Sequence, residues 1–326
     1  MDSISSLFHH VALVSENEGW YEPLRFSPER IADYEQNRPY APYSRCAAGV
    51  TLEFETEADE IAFDYEMLPF SAGKSLDGYS TSDVFDVYEN GVYALTVSPA
   101  IHKGRFRYRK QNPGRVRFCI YTPVGAMVRF SRFSLGDFSP VPAPQRKLLI
   151  VGDSISQGLF GTHPSLSAAA RLSRELDADL LNASIGGDCF RPGLIPEDLP
   201  WRPDAIVVEL GTNDFCFIKD RKTIEENVRG FFCDLDERFS HVPCVVVSPF
   251  WMTDWDELTT AAWPTPNGSR GFCRRSATGW FTCTSSTASG SFRMNTATSA
   301  TAPTPPTTAL PPWLPPSEAS SKNISE

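Results

Sequence analysis

Three apolar runs in the second half of the chain each end in a polar cluster, and this constrains the fold more than any other feature. Lys147-Leu148-Leu149-Ile150-Val151 leads into Gly152-Asp153-Ser154-Ile155-Ser156-Gln157-Gly158. Asp179-Leu180-Leu181 leads into Asn182-Ala183-Ser184-Ile185-Gly186-Gly187-Asp188. Ala205-Ile206-Val207-Val208-Glu209-Leu210 leads into Gly211-Thr212-Asn213-Asp214. Strand and helix signals alternate here, the pattern of a parallel sheet. In an open parallel sheet, ligands bind outside the carboxyl ends of the strands, where all three clusters fall. A serine, two glycines and an asparagine gathered there predict a nucleophile beside an oxyanion hole. No histidine and no aspartate follows Asp256.

The clusters resemble those of the SGNH (GDSL-type) hydrolases. Gly152-Asp153-Ser154 matches the family's first block, Gly187 the glycine of its second, and Gly211, Asn213 and Asp214 its third, Gly-x-Asn-Asp. The resemblance covers residues 145–257. It implies a flavodoxin-like, doubly wound parallel sheet and cleavage of acyl or carbohydrate esters. It also implies Ser154 as nucleophile and an oxyanion hole built from the Ser154 and Gly187 N–H groups and the Asn213 side-chain amide. The family's fourth block, Asp-x-x-His, has no match, so the expected base is missing. That matters because a serine hydroxyl is a poor nucleophile until a base takes its proton. Each preset oxyanion donor contributes about 3–4 kcal/mol to such chemistry. Ser154 is not in a Gly-x-Ser-x-Gly elbow, which argues against an α/β-hydrolase. A nucleotide-binding reading lacks the glycine-rich phosphate loop.

Residues 1–138 read as an all-β sandwich or jelly-roll domain. Alternating runs recur at Val50–Glu55, Glu60–Tyr65, Val84–Tyr88, Val92–Val97, Arg115–Tyr121 and Ala126–Phe133, with turn signals between them. Glu89-Asn90-Gly91 predicts a tight hairpin turn. Phe85-Asp86-Val87-Tyr88 resembles the Asp-Leu-Tyr signature of the β-domain that precedes some two-domain SGNH esterases. Residues 139–146, with Pro140, Pro142 and Pro144, read as a stiff linker. The hydrolase domain is expected over 147–258. Within it, Leu166–Leu176 and Lys222–Phe239 read as helices, the second from Ile224, Val228, Phe231, Phe232, Leu235 and Phe239 at helical spacing. Pro243–Phe250 reads as a buried strand, with Trp251 and Trp255 at the rim as sugar-stacking or core aromatics.

After Leu258 the character changes. Of the 68 residues 259–326, 42 are Ser, Thr, Ala or Pro, too little apolar surface to offset the entropy of ordering. The tail is therefore expected to be disordered or the product of a shifted reading frame near residues 258–266. With the base lost in this way, an inactive relative with a carbohydrate-binding or structural β-domain is the alternative function. Among the five histidines, His163 alone falls near Ser154 in sequence, and a solvent-exposed loop residue is its bland reading.

The net charge of −10 and pI near 5.1 argue against nucleic acid as a partner. The N-terminus has no signal-peptide character, and no apolar run reaches membrane-spanning length. Eight scattered cysteines without Cys-x-x-Cys pairs read as reduced thiols of a cytoplasmic protein, not as a zinc site. No metal or organic cofactor is implied. The expected partner is a small-molecule ester, possibly an acetylated sugar.

Overall fold

Leu148 and Ile150 face one side of the strand β12 (Arg146–Gly152), and Leu149 and Val151 face the other. Both faces are buried, so each needs a covering layer. The computed structural model describes residues 4–37, 41–69, 83–99, 102–159, 161–218 and 220–249, and the backbone of 280–283. In it β12 is flanked by parallel strands β13 (Ala178–Asn182) and β14 (Ala205–Glu209), and β15 (Cys244–Val247) pairs parallel to β14. Strand β16 (Trp280–Cys283) pairs antiparallel to β15. The order β13-β12-β14-β15 places the earliest of the four strands inside the sheet, as in a doubly wound flavodoxin-like fold.

Helix α3 (Ala168–Leu176) packs on the Leu148–Ile150 face through Ala169, Leu172 and Leu176. Ser167 caps it, and its hydroxyl accepts from Ala170 N. Helix α5 (Arg221–Phe239) covers the opposite face with Phe231, Phe232, Leu235 and Phe239, and Asp220 caps it. None of the described helices is long and apolar enough to cross a membrane.

The N-terminal half supplies two antiparallel sheets around a shared core of Phe54, Phe63, Phe85, Phe106, Phe118 and Phe130. The first joins β1 (Phe8–His9), β4 (Thr51–Thr56), β9 (Val116–Tyr121), β6 (Phe85–Glu89) and β7 (Val92–Val97), with β11 (Phe138–Pro140) on β4. The second joins β2 (Leu13–Asn17), β3 (Trp20–Leu24), β10 (Ala126–Ser134), β5 (Glu60–Pro69) and β8 (Lys103–Arg109). Asn90 and Gly91 both have positive φ, +50° and +80°, the signature of a type I′ turn whose twist suits a hairpin.

The N-terminal region is β-rich as expected, and it also carries one α-helix, α1 (Pro28–Asn37). Ile31 and Tyr34 of this helix pack into the core of the parallel sheet, not into the sandwich. The stretch read as a stiff linker is held to the first sheet at its start: Phe138–Pro140 pairs with β4, and Val141 N donates to Glu53 O. Trp251, Trp255 and the tail beyond 258, apart from the backbone of 280–283, lie outside the described residues.

Candidate active site

The turn that carries Ser154 follows directly from the end of β12. Asp153 caps the short helix α2 (Ser154–Gln157), and its Oδ1 accepts from Ile155 N at 2.9 Å. Ser154 thereby becomes the first helical residue, whose N–H has no intrahelical acceptor. A side chain at position 152 would put its Cβ 2.7 Å from Ser156 Cβ and 2.8 Å from Glu209 O. Only glycine lets β12 and the turn approach this closely.

Two buried amides clamp the glycine loop onto this turn. Asn182 Nδ2 donates to Ser156 O at 3.0 Å, and Gly186 N donates to Gln157 Oε1 at 2.7 Å. Ile185 N donates to Gly152 O at 3.0 Å. Gly187 then turns with φ +84°, a backbone conformation that glycine adopts without a Cβ penalty. Arg25, 1 % exposed, supports the loop from below. Its guanidinium donates to Asn182 O, Ser184 O, Tyr43 O and Cys46 O.

Asn213 joins all three clusters. It lies in α4 (Thr212–Phe217), which begins after Gly211 at the end of β14. Its Nδ2 donates to Asp153 Oδ2 at 3.2 Å and to Asp188 O at 3.1 Å. Asp153 precedes Ser154 and Asp188 follows Gly187, so one side-chain amide bridges the Ser154 turn and the glycine loop. Ser154, Gly187 and Asn213 are each partly exposed, whereas the neighbouring Asp153, Asp188 and Asp214 are buried. A cavity of about 430 Å³ lined by Gly186, Gly187, Asp188, Arg191 and Phe217 adjoins the glycine loop. A larger cleft of about 530 Å³, lined by Tyr88, Arg117 and Arg174, includes none of these residues.

Buried carboxyls dominate the electrostatics below this surface. Desolvation pushes Asp214 up to about 7, against the pull of its hydrogen bond from Phe190 N. Glu209, 3 % exposed, is raised by burial and then by the Asp153 carboxyl beside it. Asp153 is raised by burial as well. The Tyr34 hydroxyl, pushed up to about 12 mainly by burial, donates to Asp188 Oδ2 at 3.1 Å. Sequence reasoning missed Arg25 and Glu209 as supports of the site. Glu209 had one signal, a charge inside an otherwise apolar run; Arg25 had none. Among the described residues no group of His, Cys, Asp or Glu is arranged to hold a metal ion.

No described side chain hydrogen-bonds the Ser154 hydroxyl. His163 Nδ1 instead lies 3.0 Å from Asp86 Oδ1 and 3.1 Å from Thr96 Oγ1, and its ring meets Tyr93 edge-on. Asp86 Oδ2 also accepts from Ser165 N. His163 therefore fastens the loop after α2 to the β6–β7 hairpin.

A family model described as the GDSL-like Lipase/Acylhydrolase family matches residues 150–275. Over these residues the chain is similar to that family. The GDSL-type match begins inside β12 and runs on past Leu258 to Arg275. No curated protein sequence matches the chain. Among solved structures, a salicylyl-acyltransferase, SsfX3, from a tetracycline biosynthetic pathway is 20 % identical, with a TM-score of 0.61 over 78 % of this chain and 77 % of that one. A Bacteroides ovatus protein described as a GDSL-like lipase is 18 % identical, with a TM-score of 0.57 over 74 % and 71 %. A family two carbohydrate esterase from Cellvibrio japonicus is 16 % identical, with a TM-score of 0.53 over 80 % and 82 %. At these identities the likeness establishes a shared fold for the GDSL-type domain and the β-rich region before it.

Proposed function

We propose that this chain is a serine acyl hydrolase of the SGNH type, with Ser154 as nucleophile and a small acyl ester, such as an acetylated carbohydrate, as substrate. The observation that carries the reading is the Asn213 amide, which ties Asp153 beside Ser154 to Asp188 beside Gly187. The ester carbonyl carbon takes the Ser154 oxygen, and its own oxygen becomes the oxyanion. The N–H groups of Ser154 and Gly187 and the Asn213 amide receive that charge, and the alcohol leaves with a proton. Water then releases the acid. The carbohydrate esterase and the acyltransferase among the similar folds support an acyl ester as the substrate class. None of the described cysteines forms a disulfide, which supports a reducing, cytoplasmic setting.

A second reading, a relative without turnover whose β-rich half binds or packs, is favoured by one observation. The family's Asp-x-x-His is absent from the sequence, and the described histidine nearest to Ser154 in sequence is engaged by Asp86. Loss of a triad member leaves only the residual catalysis of the oxyanion hole and binding. Hydrolysis of aryl acetates and acetylated xylo-oligosaccharides separates the readings. The proposal expects slow turnover that Ser154→Ala abolishes. Equal rates in the two proteins would favour the second reading.

A further inference from the structure

Glu209 lies at the end of β14, in register with Gly152 on β12, and so beside Asp153. Its Oε2 accepts from Ser156 N at 3.3 Å and Ser156 Oγ at 2.9 Å. Its Oε1 is buried with no N–H or O–H donor among the described residues. Across from it, the Asp153 carboxyl already accepts from Ile155 N through Oδ1 and from Asn213 Nδ2 through Oδ2. Around the two carboxyls stand Ser156 on α2, Asp188 on the glycine loop, and Asp214 and Cys216 on α4. No cationic side chain among the described residues hydrogen-bonds either carboxyl. Two adjacent buried carboxyls without a cation cannot both ionise cheaply. A single proton on Glu209 Oε1, donated to Asp153, satisfies the orphan oxygen and removes one charge.

This arrangement bears on Asn213. Both of its amide hydrogens are engaged in the free protein, one by Asp153 and one by Asp188 O, so donating to an oxyanion requires that one be released. An Asp153 carboxylate without a hydrogen bond from Glu209 would hold its hydrogen more tightly, because its charge would not be shared with a second donor. We propose that Glu209 is a positioning residue: it carries the single proton of a Glu209–Asp153 acid–carboxylate pair, and that proton, donated to Asp153, loosens the hold of Asp153 on the Asn213 amide so that the amide can turn toward a substrate oxyanion. The proton stays within the pair, and no bond to substrate forms there. The inference rests on reading Asn213 as an oxyanion donor.

The test uses the full chain, infrared spectroscopy with ¹³C-labelled glutamate, and NMR of the Asn213 side-chain amide. The expected result is a protonated-carboxyl stretch at neutral pH that shifts with the label, disappears as pH rises, and is lost in Glu209→Gln. The Asn213 amide resonances should move over the same pH range in the native protein and stay fixed in Glu209→Gln. Absence of a labelled acid band at neutral pH, or Asn213 resonances indifferent to its loss, would overturn the proposal. If Glu209→Gln fails to fold, the pH titration of the native protein still decides. Neither readout needs turnover, so a lack of esterase activity would count against the proposed function and not against the shared proton.

Discussion

Arg25 illustrates how a single residue sets the geometry of this site. Its guanidinium, 1 % exposed, meets no carboxylate among the described residues and donates to four backbone carbonyls. Burial pulls its pKa down to about 10, so it remains charged at neutral pH. Arg25→Met would leave several buried carbonyls unsatisfied, each costing about 1–3 kcal/mol. The expected loss in chemical denaturation is at least about 3 kcal/mol. Arg25→Lys should recover only part of it, because an ammonium lacks the planar fork that reaches carbonyls on separate segments. A loss below about 1 kcal/mol for Arg25→Met would show that the loop does not depend on it. The sequence hides this role, since Arg25 lies 157 residues from Asn182 and belongs to no motif. Ser154, Gly187 and Asn213 were readable because each sits in a short pattern at a strand end. Their mutual bridge through Asp153 and Asp188 was not, because hydrogen bonds between loops leave no periodic trace.

Among the elements, α5 was legible from its apolar spacing and α1 was not. Helix α5 buries Phe231, whose ring lies 5.3 Å from Phe190 and 5.2 Å from Phe232. Phe231→Ala should cost about 3–5 kcal/mol in urea unfolding. Phe217→Ala on α4 removes a side chain that is 54 % exposed and should change stability by less than about 0.5 kcal/mol. Equal effects for the two would contradict the placement of α5 against the sheet. Helix α1, Pro-Glu-Arg-Ile-Ala-Asp-Tyr-Glu-Gln-Asn, presents few apolar side chains, and local pattern gives it little support. Its Ile31 and Tyr34 find their partners in the core of the parallel sheet, a contact that spans the chain. The β6–β7 hairpin was readable because Asn-Gly favours the turn by local chemistry alone.

For the whole molecule, the buried acids below the site make stability depend on pH in a definite direction. Asp214 rises from an ordinary 3.8 to about 7 through burial. The folded state therefore holds a proton that the unfolded chain releases. Asp214's contribution is complete below about pH 4, declines as pH rises toward 7, and is gone above it. Glu53 acts oppositely. Burial raises it, but His9 and Arg117 prevail and hold it near 2, so its contribution is present above its ordinary 4.5 and is lost as pH falls toward 2. Asp214→Asn should flatten the fall in melting temperature between pH 4 and 7 and leave the acid-side loss intact. An unchanged slope would remove Asp214 from that role.

In the proposed function, the three strand-end clusters converge on a serine that accepts an acyl group. The good leaving group of an aryl ester eases acylation, whereas release of the acid by water needs the family's base, which the sequence lacks, so the acylated protein should accumulate. The most direct measurement is intact-mass and peptide mass spectrometry after incubation with an aryl acetate. The account predicts one acetyl group on Ser154, absent from Ser154→Ala and reduced in Asn213→Ala. No adduct at Ser154, or the same labelling of the Ser154→Ala protein, would contradict it.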